Sequence, residues 1–273
     1  AYTTVKKVHN VLNEYFRYLT QQEYIDRNPM ISAPMIKKSN FLAAQDKENL
    51  PTSETITVFT PEEIKIFKDE AFSTFSNGKR KYQQAAAYIL MLNTGLRTGE
   101  VLGLLNSDID IENRVMHLNR GVKEISKRDG VTAEKGREVK VGKLKSATSK
   151  RDVPLNDTAI EMILDLRNEF YFGEDSPLIP DENGNFTRPV NFRKRYYRIL
   201  KAAGIEIKGL HSLRHTFATN LVNGIKQPDG SIKSLTPRQV ADLLGHTTSE
   251  ITEMYYVKRD LTKLNGVTDG FEF

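Results

Sequence analysis

Residues 209–217 read Gly-Leu-His-Ser-Leu-Arg-His-Thr-Phe, and residues 243–256 read Leu-Leu-Gly-His-Thr-Thr-Ser-Glu-Ile-Thr-Glu-Met-Tyr-Tyr. His211 and Arg214 are three positions apart, so on a helix they share one face. An imidazole and a guanidinium side by side offer donors matched to phosphate oxygens, and Arg can grip such a group with two parallel hydrogen bonds. His246 follows Gly245, which places it at a turn if a helix ends on that glycine. Tyr255 lies nine positions beyond His246, with Tyr256 beside it. Singly, each feature is ordinary: surface decoration, a helix end, a packed aromatic. Together they describe a phosphate site with a phenol near it in sequence.

This set resembles the tyrosine recombinases, the integrase family, and within it the integrases of conjugative transposons and related phages. The family's first catalytic arginine lies in a Thr-Gly-x-Arg-x-x-Glu context, which Thr94-Gly-Leu-Arg-Thr-Gly-Glu100 fits with Arg97 and Glu100. Physically, Gly95 permits a tight turn, and Glu100, three residues on, can orient the Arg97 guanidinium. An exposed helix ion pair is the plain alternative. The family's hairpin pattern, Lys-Thr-x-x-Ser-x-Arg-x-Val-Pro-Leu, is similar to residues 145–155, with Ser146 replacing the usual Thr. That match selects Lys145 over its neighbours Lys143 and Lys150, a choice that charge alone does not make.

The resemblance implies a mainly α fold with a small antiparallel β-sheet, a catalytic domain preceded by the end of a helical core-binding domain. It implies metal-independent strand transfer in which Arg97, Arg214, His211 and His246 surround a DNA phosphate and Lys145 protonates the departing 5′ oxygen. Tyr255 would attack to give a 3′-phosphotyrosine, with Tyr256 its rival by adjacency and the family spacing favouring Tyr255. Such chemistry works by positioning and cationic stabilisation. The expected activity is site-specific recombination that integrates or excises a mobile element. A type IB topoisomerase and a non-catalytic DNA-binding protein are the alternatives. Double-stranded recombination sites, further copies of the chain from dimer to tetramer, and an accessory directionality factor are the implied partners.

Composition agrees in direction. Forty Lys and Arg against 35 Asp and Glu give a formal charge of +5, a mild lean toward a polyanion. The absence of Cys excludes disulfides, cysteine zinc sites and a thiol nucleophile. There is no phosphate-cradling glycine loop, no Asp/Glu cluster at metal-ligand spacing and no dinucleotide fingerprint, so no cofactor is expected. No signal peptide or membrane-length apolar run is visible, and a cytoplasmic protein is expected.

Along the chain, apolar residues recur at helical spacing from Thr3 to Ile25, with Thr3 or Thr4 as cap and Pro29 forcing an end. One amphipathic helix cannot be a domain, so residues 1–30 are expected to be the last helix of a core-binding domain whose upstream part is missing. Residues 31–56, mixed and aperiodic, are expected to be a linker, residues 57–256 the catalytic domain and residues 257–273 a tail that docks in cis or on a neighbouring protomer. Thr60-Pro61 starts a helix to about Phe75, and Lys81 to Asn93 forms a buried one. Strands follow, with an enlarged loop around residues 127–135. Then come helices from Asp157 to Phe170, capped by Asn156 or Asp157, from Val190 to Ala203, and from Thr236 to Leu244. Lys143, Lys150, Arg151, Arg193, Lys194 and Arg195 are the candidate DNA contacts; for residues 193–198, basic side chains on a solvated helix face serve equally well.

Overall fold

The computed structural model describes residues 2–35, 57–126, 137–144, 150–226 and 230–245. The chain divides into two compact units, residues 1–52 and 53–273.

In the first unit, α1 spans Tyr2–Gln21. Thr3 and Thr4 therefore lie inside the helix instead of capping it. The helix also stops four residues short of Ile25: Glu23 turns left-handed at φ 56, and the Tyr24 N–H closes back on the Leu19 carbonyl at 3.0 Å. Pro29 has a different consequence from the one expected. It sits at the first position of a short 3-10 turn, Pro29–Ser32, capped by the Asn28 side chain. Asn28 in turn donates to Asn13 at 3.0 Å and so ties this turn to α1.

The second unit begins with α2, Pro61–Ala71, where Thr60 and Glu63 form a reciprocal capping box worth about 1 kcal/mol. It ends at Ala71, before Phe75. Helix α3, Ala86–Thr94, is buried at every residue except Asn93. It starts five residues later than Lys81. Gln84 adopts φ 57 and its side chain, only 3% exposed, bonds the Pro180 carbonyl and Arg195, which holds residues before Ala86 out of the helix. Tyr88 of α3 packs its ring 4.5 Å from Phe192 and 5.5 Å from Tyr196. Both belong to α6, Pro189–Ala202, whose basic residues surround this aromatic face. Helix α5, Asp157–Glu169, also packs on α3, and its cap is Asn156, whose side chain accepts from the Ala159 N–H.

The β structure among the described residues consists of three small antiparallel sheets, in keeping with the mainly α fold expected. Strands β1 (Ile109–Asp110), β2 (Val115–Leu118) and β5 (Arg151–Pro154) form one sheet in the order β1-β2-β5. Strands β3 (Arg120–Ser126) and β4 (Arg137–Lys143) pair Val122 with Val141 and Arg120 with Lys143; the enlarged loop that joins them lies outside the described residues. The connector after α7, His211–Asn223, forms the short ladder β6 (Ile225–Lys226) and β7 (Ile232–Lys233) before α8, Pro237–Leu244. Between α3 and β1, the one-turn helix α4, Thr98–Val101, sits directly on β3. A Cβ at Gly99 would be 2.8 Å from the Val122 carbonyl oxygen, so only glycine permits this approach.

Candidate active site

Two helix ends and the turn that follows one of them organise the site. Helix α3 ends on Gly95 and α8 on Gly245, each left-handed at φ 65. Such caps terminate a helix and leave its last carbonyls pointing outward, at the negative end of the helix dipole. Arg214, on the first turn of α7, meets both ends: one Nη donates to the Gly95 carbonyl at 2.7 Å, the other to Leu244 at 2.8 Å. Its guanidinium is fixed by backbone, and the residue is only 2% exposed.

Arg97 caps α4, and Glu100 answers it twice. One Glu100 oxygen accepts the Arg97 N–H at 2.9 Å and the other accepts Nη1 at 2.7 Å. The pair is not the exposed helix ion pair that its spacing allowed, because the Glu100 side chain is 4% exposed and that of Arg97 34%. Arg97 Nη2 also approaches the Gly245 carbonyl at 3.5 Å. One edge of this guanidinium is thus held while part of it remains open.

Arg151, expected among the DNA contacts, has a different place. It lies on β5 on the same side as buried Val153, opposite exposed Asp152 and Pro154. Its Nη1 and Nη2 both donate to Glu100 at 3.2 Å, and its Nε donates to the Leu243 carbonyl at 2.8 Å. At 8% side-chain exposure it cannot reach a duplex without leaving these partners. The signal was present in the sequence: residues i and i+2 of a strand share a face, and Val153 is apolar. Glu100 ends between two guanidiniums. Burial acts to raise its carboxyl, but the hydrogen bonds and charge of Arg151, then those of Arg97, outweigh it and hold the group below the usual carboxylate range.

His211 opens α7 and keeps an exposed face, although enough protein surrounds the ring to perturb it. Burial, then the charges of Arg214 and Arg97, lower its pKa, with Glu100 opposing. The shift favours the neutral imidazole, which can donate one hydrogen bond. His215, one turn on, sets its ring against His211 at 5.7 Å between centroids. Burial first, then His211 and Arg214, push His215 down to about 4. This second histidine was not singled out from sequence, although its i+4 spacing from His211 places the two rings together.

Arg97, Glu100, His211 and Arg214 are therefore brought together. Lys145, His246 and Tyr255 lie outside the described residues, as does the tail. The Lys143 side chain is likewise not described, and Lys150 is exposed. The basic run on α6 divides. Arg193 joins His211, Thr98, Lys123 and Arg137 around a groove of about 810 Å³. Lys194 and Arg195 line a separate pocket of about 530 Å³ with Gln84, Asp181 and Arg198.

Two guanidiniums held by backbone carbonyls and by Glu100, with an imidazole beside them, present hydrogen-bond donors suited to phosphate oxygens. A model of the phage integrase family matches residues 58–262. The chain is similar to a tyrosine recombinase XerC-like protein of Caldanaerobacter subterraneus subsp. tengcongensis, at 28% identity over 268 residues, covering 93% of this chain and 61% of that one. It is also similar to the transposase from transposon Tn916 of Enterococcus faecalis, at 25% identity over 275 residues, covering 94% and 58%. The chain thus spans about three-fifths of these relatives' length. In fold it matches the Tn1549 transposon integrase, solved in complex with circular intermediate DNA, with TM-score 0.70 at 20% identity over all of this chain and 81% of that one. A lambda integrase dimer bound to a COC′ core site matches with TM-score 0.58 at 17% identity, covering 95% and 60%.

Proposed function

We propose, since this chain belongs to the phage integrase family, a family of DNA strand-transferring enzymes, that it is a site-specific recombinase that integrates or excises a mobile element. The observation that carries this reading is the convergence of Arg97 and Arg214 on the ends of α3 and α8, with His211 beside them. A scissile phosphate bound there would meet donors already oriented by backbone carbonyls and by Glu100. Such donors stabilise charge developing on the non-bridging oxygens without reorganising during the reaction.

In the proposed sequence, the Tyr255 phenol gives its proton to solvent as its oxygen attacks phosphorus in line. The bond to the 5′ oxygen breaks, and Lys145 gives that oxygen a proton, leaving a 3′-phosphotyrosine. His246 follows Gly245 in the chain and would add a hydrogen bond to the phosphate. Because the phosphodiester energy is kept in the covalent link, rejoining to a second strand requires no nucleotide hydrolysis. No metal is assigned a role.

The proposed domain division is residues 1–30 as the end of a core-binding domain, 31–56 as linker, 57–256 as catalytic domain and 257–273 as tail. Double-stranded attachment sites are the proposed substrate, bound by a dimer to tetramer of this chain with an accessory factor deciding direction. The lambda integrase relative is itself a dimer on its core site. No helix among the described residues is long and apolar enough to cross a membrane, and we place the protein in the cytoplasm.

The test is incubation of the chain, with chelator present, with a nicked duplex carrying the ends of the element that flanks its gene. A denaturant-resistant protein–DNA band, lost in Tyr255→Phe and kept in Tyr256→Phe, supports the mechanism. The reverse pattern moves the nucleophile to Tyr256. Binding without any band leaves a DNA-binding protein, and relaxation of arbitrary supercoiled DNA without strand exchange between two sites leaves a topoisomerase.

A further inference from the structure

The Glu100 carboxylate is held from two directions. Each oxygen accepts one hydrogen bond from Arg97, through its backbone N–H or Nη1, and one from Arg151. Arg97 comes from the turn after α3, and Arg151 from β5, 51 residues from Glu100 in sequence. The remaining edge of Arg151 donates to Leu243, next to the Leu244 and Gly245 carbonyls that receive Arg214 and Arg97. One buried side chain therefore joins three elements: β5, the α4 turn and the end of α8.

We propose that Arg151 is a positioning residue: by sharing the Glu100 carboxylate with Arg97 and holding the Leu243 carbonyl, it fixes the Arg97 guanidinium and the end of α8 relative to β5. The proposal rests on the reading of Arg97 as a phosphate ligand. It adds a reason for β5 to be anchored: this strand begins six residues after Lys145 in the sequence. A lysine at position 151 would keep the charge but lose the parallel pair of hydrogen bonds and the third donor to Leu243.

The consequences are chemical as well as geometric. Among the described residues, the groups facing Glu100 are Arg97 from the α4 turn, Arg151 from β5 and, at longer range, His211 from α7. Arg151 is the larger of the two influences that oppose burial. With Arg151 gone, a buried carboxylate keeps one partner, and its proton affinity rises. A variant lacking Arg151 is then destabilised most where Glu100 must ionise and least where it is protonated in both proteins.

Thermal unfolding of the full chain without DNA provides the first measurement, for wild type, Arg151→Gln and Arg151→Lys across the carboxylate range and up to neutrality. The expected result is a loss of melting temperature in Arg151→Gln that grows as pH rises through the carboxylate range and is smaller in Arg151→Lys. A loss independent of pH, or none, overturns the proposal. The second measurement separates adduct formation on the nicked duplex into DNA affinity and rate of cleavage once bound. Arg151→Gln is expected to bind DNA within about twofold of wild type and to cleave about 10- to 100-fold more slowly, in line with loss of a group that orients a phosphate ligand. Weakened binding with an unchanged rate would make Arg151 a DNA contact and end the proposal. Glu100→Gln guards against a variant that folds poorly: in that background, Arg151→Gln should cost little more, and full additivity counts against a shared carboxylate. If wild type forms no adduct, the recombinase reading fails, while the unfolding measurement still decides the role of Arg151.

Discussion

The Arg214 guanidinium lies 2.8 Å from the Leu244 carbonyl and 2.7 Å from that of Gly95. Those carbonyls close two separate helices, so one side chain sets the distance between α3 and α8 and places a cation where both negative helix ends converge. A phosphate would bind beside a guanidinium that these two backbone carbonyls already orient.

Replacing Arg214 with lysine keeps the charge and loses the fork. An ammonium cannot hold two carbonyls and still present a planar pair of donors. Adduct formation should fall by about 100-fold or more while DNA binding changes little, as when an oriented transition-state donor is removed. Arg214→Ala should also destabilise the fold by about 3 kcal/mol, because two carbonyls lose their buried partner. Cleavage by Arg214→Lys within a few fold of wild type would argue against this placement.

Gly95 tolerates no side chain. Its φ is 65, and an added Cβ would lie 2.5 Å from a Phe217 ring carbon and 2.7 Å from a Leu244 methyl. Gly95→Ala combines left-handed strain with overpacking, and a loss of about 2 to 4 kcal/mol is expected in chemical denaturation. The clash falls on Leu244, so cleavage should slow too. Wild-type stability in this variant would contradict the close approach of α3 to α7 and α8.

The histidine pair gives the protein an acid sensitivity. His215 sits at about 4 in the folded chain, against about 6.5 when unfolded. Below about pH 6.5 the unfolded chain takes up a proton that the folded one refuses until about pH 4, so stability falls across that interval. Solvent screening of this partly exposed ring keeps the effect below the roughly 3 kcal/mol that the full difference would give. Because His215 is partly buried and its neighbour His211 is shifted in the same direction, His215→Gln should reduce the fall without abolishing it. An unchanged slope between those pH values would show that His215 titrates normally. A bound phosphate opposes the nearby guanidinium charges, so DNA binding should raise the His211 pKa and take up protons near neutrality, measurable by calorimetry in buffers of different ionisation enthalpy.

The entry to the second unit is stitched to α7. The Phe59 N–H donates to the Thr216 hydroxyl at 2.8 Å, and that hydroxyl donates to the Ser212 carbonyl. Thr216→Val keeps the shape and removes the acceptor, leaving a buried N–H unpaired at a cost of about 1 to 2 kcal/mol. A neutral result in urea denaturation would mean that another acceptor replaces the hydroxyl.

The sequence by itself determined what short-range geometry controls. His211 and Arg214 share a helix turn, Glu100 reaches back three residues to Arg97, and Thr60, Asn156 and Thr236 cap the helices that follow them, since each relation is closed within one turn of chain. Segment ends were less legible wherever a distant group intervened, as when Gln84 bonds Pro180 and delays the start of α3. Only the tertiary structure decided what Arg151 meets: strand alternation puts it on the side of Val153, but its partner Leu243 is 92 residues away and the buried carboxylate it shares with Arg97 is 51 residues away. The same holds for the carbonyls that fix Arg97 and Arg214. Every residue carries a carbonyl, and which ones face a guanidinium is settled by how two glycine-ended helices meet.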